Sequence, residues 1–275
     1  MTAVTVHLRE ATVDDIPAML SMLLTSFRRF PLFDYLYAPL HDDVSNASDT
    51  LYFWDKRLRK TLWDPSRTII VAEGRNCGLP SEPREAPTQQ IERESWSMLS
   101  WINSSQALPL SSSQTVCTPI GFAVWQWKGM VQANGGTGHH YRSSLEHFQE
   151  LLVDLQLWYW RLFYHRKDQD ATRFMNYLRS EEDLEKRYHN GTFLYLDNIC
   201  VDFRVAGNGV GKRLLEWGIQ KADSLEIPIK TETTDNNVKF YENSGFKSIG
   251  QWTVKGFHQA TGMKLHVMQR GMHLE

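Results

Sequence analysis

Ala206-Gly207-Asn208-Gly209-Val210-Gly211-Lys212-Arg213-Leu214-Leu215 follows closely on a β-rich run, Phe193 to Val201, and opens a helical one, Gly209 to Leu225. Glycines let a backbone bend tightly and let a ligand approach the main chain. A helix that starts there points unpaired N–H groups, and the positive end of its dipole, at whatever lies in front of it. Lys212 and Arg213 add positive charge nearby. Such a turn suits a pyrophosphate. Two familiar phosphate motifs do not fit it. A P-loop requires Gly at Ala206 and Ser or Thr at Arg213, and the second mismatch removes the magnesium ligand. The dinucleotide fingerprint GxGxxG requires Gly at Lys212, followed by an acidic ribose ligand after a second strand. Taken alone, the loop also describes a plain helix start.

Outward from the loop, strands and helices alternate. Downstream, Ile227 to Glu232 is predicted as a strand and Asn236 to Asn243 as a short helix. Phe246 to Val254 and Lys264 to Gln269 are predicted as closing strands. Upstream, Val4 to Leu8 reads as a short strand, and Thr12 with Asp15 resembles a capping box. Ile16, Met19, Leu20, Leu23, Leu24 and Phe27 then recur at helical spacing, which predicts a helix over Asp14 to Phe27. Asp49 to Thr61 is a second helix, while Thr68 to Ala72 and Ile120 to Trp127 are strands. This alternation predicts an α/β chain, a single domain over 1–275 with a central mixed sheet and helices on both faces. Two long insertions interrupt it. Residues 75–118 are loop-rich, with a serine run at Ser111-Ser112-Ser113 and Trp96, Leu99 and Trp101 anchoring a short helix. Residues 129–190 are helical. There Leu145, Phe148, Leu152, Leu155, Tyr159 and Leu162 form a stripe that reads as core packing, with a lid or pocket wall for an acceptor as the alternative. A further helix covers Asp170 to Tyr188, on which Glu181, Glu182 and Asp183 read as a solvated face.

Composition narrows the function classes. A 275-residue chain with 41% hydrophobic and 23% charged residues has the balance of a globular protein. A net charge of −2 provides no basic field for a nucleic acid. Cys77, Cys117 and Cys200 form no CxxC pair, so a reducing, cytoplasmic setting is expected. Met1 to Arg9 has no apolar signal core. The run from Leu151 to Tyr164 is broken by Asp154 and Arg161, which argues against a membrane span. His139, His140 and His147 lack metal-ligand spacing, so no metal is expected.

Three segments in this order resemble the GNAT superfamily of N-acetyltransferases. They are Tyr195-Leu196-Asp197-Asn198-Ile199-Cys200-Val201-Asp202, then Gly207-Asn208-Gly209-Val210-Gly211, then Phe240-Tyr241-Glu242-Asn243-Ser244-Gly245-Phe246. They are similar to the family's strand 4, its pyrophosphate loop and helix, and its FYxxxGF segment. Val6 to Phe27 looks like its first strand and helix. The resemblance makes 193–246 an acetyl-CoA-binding core, with acetyl-CoA as cosubstrate. It implies that strand 4 carries a bulge and splays from strand 5, and that the pantetheine arm pairs with Ile199, Cys200 and Val201. Gly207, Asn208, Gly209, Val210, Gly211, Lys212 and Arg213 would hold the diphosphate. Asn237 would touch the cofactor, since Thr234 stands at the family's usual Asn position. Ala206 replaces the customary Arg or Gln, and Arg204 is the nearby substitute. Tyr241 would be the general acid, and Asp197 a base or a ligand for the cationic amine, with Tyr195 in reserve. A salt bridge at a strand edge is the plainer role for Asp197. Cys200 reads as a buried small residue rather than a nucleophile.

The expected reaction is direct attack of a small-molecule amine on acetyl-CoA. The rivals are a longer acyl donor, an acyl-CoA-binding sensor without catalysis, and a nucleotide-binding P-loop protein.

Overall fold

The computed structural model describes residues 5–27, 30–37, 44–75, 118–129, 144–163, 166, 168–261 and 264–271. The short helix expected around Trp96 to Trp101, and the histidines His139 and His140, lie outside them.

Seven strands form one mixed sheet in the order β1-β2-β3-β4-β5-β7-β6. They are β1 (Thr5–Glu10), β2 (Arg67–Arg75), β3 (Thr118–Lys128), β4 (Phe193–Val201), β5 (Ile229–Thr234), β6 (Lys247–Trp252) and β7 (Leu265–Arg270). Every neighbouring pair is antiparallel except β4 and β5.

The first helix is α1 (Ile16–Phe27), entered through one 3-10 turn, Val13–Asp15. Asp15 anchors that entry. Its carboxylate accepts from the Thr12 amide at 2.7 Å and from the Arg9 guanidinium at 2.7 Å. The helix α2 (Pro31–Leu36) follows, with proline at its first position where no N–H is missed. Next comes α3 (Val44–Trp63), longer at both ends than its apolar period predicts. These helices cover one face of the sheet and share a core with Val71, Phe122, Val124 and Cys200. The opposite face is covered by α6 (Val210–Ser224) and α7 (Asp235–Glu242), over Ala123, Trp125, Leu194 and Leu196. A five-residue helix, α8 (Phe257–Thr261), lies between β6 and β7.

Between β3 and β4 run α4 (Ser144–Phe163) and α5 (Ala171–Tyr188). The stripe expected to be core is a correction. Phe148, Leu152, Leu155, Tyr159 and Leu162 are all exposed, while Val153 is buried and Leu157 and Trp160 are half-buried. Apolar residues surround α4, so periodicity identifies the helix but not the face that docks. Contact with α3 settles it, where Trp160 packs on Tyr52 at 5.1 Å between ring centres. Among the described residues, no helix is long and apolar enough to cross a membrane.

The α6 face also explains a glycine. A Cβ added to Gly218 would lie 2.2 Å from the ring of Trp125, which is fully buried. Helix propensity alone favours alanine over glycine by about 1 kcal/mol. Displacing a close-packed indole costs roughly 1–3 kcal/mol. Gly218→Ala is therefore expected to lower the denaturation midpoint without changing the denaturant slope. A raised midpoint would mean that Trp125 yields freely.

Candidate active site

The sheet opens at its centre. β4 and β5 pair only through Leu194 with Ile229 and Tyr195 with Lys230. Side chains add two further links, the Thr231 hydroxyl donating to the Leu196 carbonyl at 3.0 Å and the Tyr195 hydroxyl donating to Glu232. On its other edge β4 stays paired with β3 as far as Val201 with Gly121. The register there shifts, because Val124 faces Asn198 while Trp125 faces Leu196. Asp197 is thus the extra residue of a β-bulge, and it reverses the alternation of β4. Leu194 and Leu196 face α6, whereas Cys200 faces α1. Ile199, Cys200 and Val201 lie beyond the bulge, on the stretch of β4 that β5 has left.

At the end of β4 the chain makes a 3-10 turn, Phe203–Val205, and enters the glycine loop. Gly207 and Gly209 have φ of 83° and 79°, the left-handed region where glycine carries no Cβ penalty. Gly209 is the N-cap of α6 rather than its first residue, and no side chain caps the helix. A Cβ at either glycine would meet nothing within 4 Å, so the loop borders open space. Asn208 is exposed, its side-chain amide donating to the Val205 carbonyl at 3.1 Å. Val210 is buried, and Gly211 packs near Val201 and Phe240. The two cations diverge. Lys212 is exposed, 3.7 Å from Glu216, while Arg213 donates to the Val6 carbonyl at 3.3 Å. Arg204, the expected substitute at Ala206, is held by Asp202 through a 3.0 Å bond from Nε.

Tyr241 of α7 lies under the opening and is 5% exposed. Its ring packs edge-on against Phe240 and Phe246. Burial pushes its phenol up to about 12, opposed by the influence of the Thr231 hydroxyl, with Glu232 and Cys200 adding to the rise. A group influenced by both β4 and β5 sits where the strands divide. Burial likewise pushes the Cys200 thiol up to about 12, which makes it a neutral packing residue. Thr234 is the buried N-cap residue of α7, and Asn237 is exposed on that helix.

The opposite face carries a polar cluster that the sequence only hinted at. Asp197 accepts from Arg67 at 2.7 Å, the salt-bridge role left open above. Tyr195 donates to Glu232 of β5, and the His189 ring contacts the same carboxylate at 3.0 Å. Tyr177 of α5 donates to Glu181. Glu181 is therefore half-buried, a correction to the solvated face that Glu182 and Asp183 do form. Burial raises the Glu181 pKa, against the pull of the Tyr177 bond and of Arg57, and Asp197 and Glu232 reinforce the rise. Tyr195 is held well above 10 by burial and by Glu232. The i, i+4 spacing of Tyr177 and Glu181 was the available signal. Nothing local marks Glu232, Arg57 or Arg67, which reach the site from β5, α3 and the start of β2.

Beside this cluster α3, α4 and α5 enclose a cavity of about 650 Å³, lined among others by Arg57, Arg67, Trp63 and Phe174.

Comparison with known proteins agrees with this architecture. Residues 171–267 match the family model described as an acetyltransferase (GNAT) domain. A curated relative, the probable acyltransferase SID5 of Ajellomyces capsulatus, is 33% identical over 46 residues. That match spans 17% of this chain and 34% of that protein. Among solved structures, the histone acetyltransferase HPA2 and related acetyltransferase from Corynebacterium glutamicum superposes with a TM-score of 0.52 at 16% identity. That superposition covers 100% of this chain and 99% of the other. Residues 171–267, which hold β4, the bulge, the glycine-capped helix and Tyr241, are thus similar to a GNAT acetyltransferase domain, and the chain shares the fold of that solved structure.

Proposed function

We propose that this protein is an N-acetyltransferase that moves an acetyl group from acetyl-CoA to the amine of a small molecule. One observation carries the reading, the parting of β4 from β5 beside a helix start that no side chain caps. The two features accept the two ends of one ligand. Main chain at Ile199 to Val201, unpaired on the β5 side, suits an extended pantetheine arm, paired as an added strand. The backbone N–H groups from Gly207 to Lys212 suit a diphosphate, with Gly209 left-handed and open space where a side chain would stand. Lys212, exposed beside the loop, adds charge. Arg213 is turned toward β1 and contributes to the field only at a distance. Asn237, exposed on α7, is a further contact for the cofactor.

In the transfer a nitrogen–carbon bond forms as the carbon–sulfur bond breaks. The main-chain donors of β4 polarise the thioester carbonyl. Tyr241, buried against Phe246, is the group that would donate a hydrogen bond to the thioester sulfur. A phenol near 12 keeps its proton at neutral pH. Complete transfer to a thiolate of ordinary pKa, ~8.5, is uphill by roughly three units. Tyr241 therefore stabilises the departing sulfur mainly as a hydrogen-bond donor. The amine arrives as a cation, since free alkylamines titrate near ~10. Asp197, Glu181 and Glu232 give it a negative field and proton acceptors, reached directly or through water and Tyr195.

Thiol release from acetyl-CoA across an amine panel tests the activity. Tyr241→Phe is expected to lower kcat by about 10²-fold or more, with CoA affinity unchanged by calorimetry. The wild-type pH–rate profile should show no alkaline limb from this phenol until the pH approaches 12. An unaltered kcat would remove Tyr241 from the chemistry and favour a CoA-binding sensor. Gly209→Asp places a carboxylate against the diphosphate and should weaken CoA binding at least about tenfold, more than 1.4 kcal/mol. Unchanged binding would refute the loop assignment. A longer acyl donor is separated by competing acyl-CoAs under mass spectrometry, and tight binding of ATP in place of CoA would revive the P-loop reading.

A further inference from the structure

The 650 Å³ cavity adjoins the bulge of β4, because Arg67 both lines it and holds Asp197. Four cations line its wall, namely Arg57, Lys60, Arg67 and Arg166. Three are neutralised. Lys60 pairs with Asp154. Arg67 pairs with Asp64 at 3.2 Å as well as with Asp197. Arg166 forks onto the fully buried Asp168 at 2.9 and 2.7 Å.

Arg57 differs. Its guanidinium makes no hydrogen bond or ion pair with any described residue, and it lies over the Trp54 ring at 4.8 Å. Arg57 is exposed to solvent where it lines the cavity, although surrounding protein desolvates its guanidinium. Burial favours loss of its proton, but the fields of Asp197, Tyr177, Tyr37 and Glu181 outweigh burial and raise its pKa. The charge is therefore permanent, shaped as a planar fork, and short of an acceptor. A carboxylate that reaches it gains a charge-assisted bidentate bond at a site already partly stripped of water. Two acids also line the wall, Asp64 and Glu150. Asp64 is occupied, accepting from Ser66 and Arg67. Phe53, Trp63 and Phe174 supply apolar walls between the charged positions.

We propose that this cavity is the acceptor pocket and that Arg57 binds a carboxylate on the acceptor. The substrate is then a free amino carboxylate. Its amine lies toward Asp197, Glu181 and Glu232, its carboxylate on Arg57, and its apolar part against the aromatic walls. The proposal rests on the acetyltransferase reading above and gives that site a substrate class. Within it Arg57 is a specificity determinant, in contact with the substrate but not with the reacting atoms.

The test uses matched probes, each amino acid of the standard set beside the amine left by removing its carboxylate, for example phenylalanine beside phenethylamine. Thiol release is measured with acetyl-CoA for the wild type, Arg57→Gln and Arg57→Lys, each checked for unchanged melting. Binding of the same probes to the CoA-loaded protein is measured by calorimetry. In the wild type, kcat/KM for the best amino acid should exceed that of its decarboxylated partner by about tenfold or more. Arg57→Gln should erase that difference by raising KM for the carboxylate-bearing member alone, and Arg57→Lys should restore part of it. A wild-type preference for the decarboxylated amine, or an equal loss for both members in Arg57→Gln, would overturn the proposal. If no probe is acetylated, calorimetry still decides. Binding of an amino acid that Arg57→Gln removes keeps the carboxylate site and rejects the acetyltransferase reading. Absence of binding by every amino acid rejects the site itself.

Discussion

Two parallel strands, β4 and β5, hold together for two residue pairs and then separate, and the rest of the site follows from that separation. A sheet interior normally satisfies every backbone N–H and C=O through its neighbours. Here β4 keeps its partner on the β3 side only. The bulge at Asp197 lets the strand turn away without losing that pairing, and the extra residue changes which face each later side chain meets. Cys200 is thereby sent into the α1 core, where burial makes its thiol inert. Thr231 spans the start of the gap, its hydroxyl donating to the Leu196 carbonyl. The opening is a built feature, framed by side chains that belong to both strands.

The two faces of the sheet divide the chemistry. On the α6 and α7 side lie the glycine loop and Tyr241, the parts suited to a large anionic cosubstrate and a departing thiolate. On the α3 and α5 side lie three carboxylates, Asp197, Glu181 and Glu232, with tyrosines and arginines among them. A buried carboxylate is costly unless hydrogen-bonded or paired, and each of these three has a named donor. Charge of both signs is thus kept close to the cleft in fixed positions, which is what an electrostatically organised site requires. The sheet itself separates the glycine loop from the carboxylate cluster, and under the proposed function the gap is where donor and acceptor would meet.

Much of this was legible in the sequence, and the remainder was illegible for physical reasons. The loop at Gly207 to Gly211, the strand before it and the Phe240 to Phe246 segment are local features whose conformations depend on near neighbours. They gave the fold class and the places of Tyr241 and the glycines. The core strands and helices fell close to their predicted bounds because hydrophobic period and caps are also local. The docking face of α4 was not readable, since apolar residues such as Leu151, Val153, Leu157 and Trp160 lie off the predicted stripe as well as on it. Arg57, Arg67 and Glu232 were missed because nothing near them in the chain marks them; only the topology brings them to the bulge. Glu181 was read as solvated because its neighbours Glu182 and Asp183 are, and its burial comes from the docking of α5. Arg204 and Arg213 were expected at the phosphates on charge and proximity, and their partners, Asp202 and the Val6 carbonyl, come from outside the loop.

The central claim is that the stretch of β4 unpaired with β5 and the start of α6 grip one molecule of coenzyme A together. Amide hydrogen exchange with and without saturating CoA measures this residue by residue. Slowed exchange at both Ile199 to Val201 and Gly207 to Lys212, with little change in β1 and β2, is the expected result. Saturation by CoA that leaves both segments exchanging at their free rates would contradict the account.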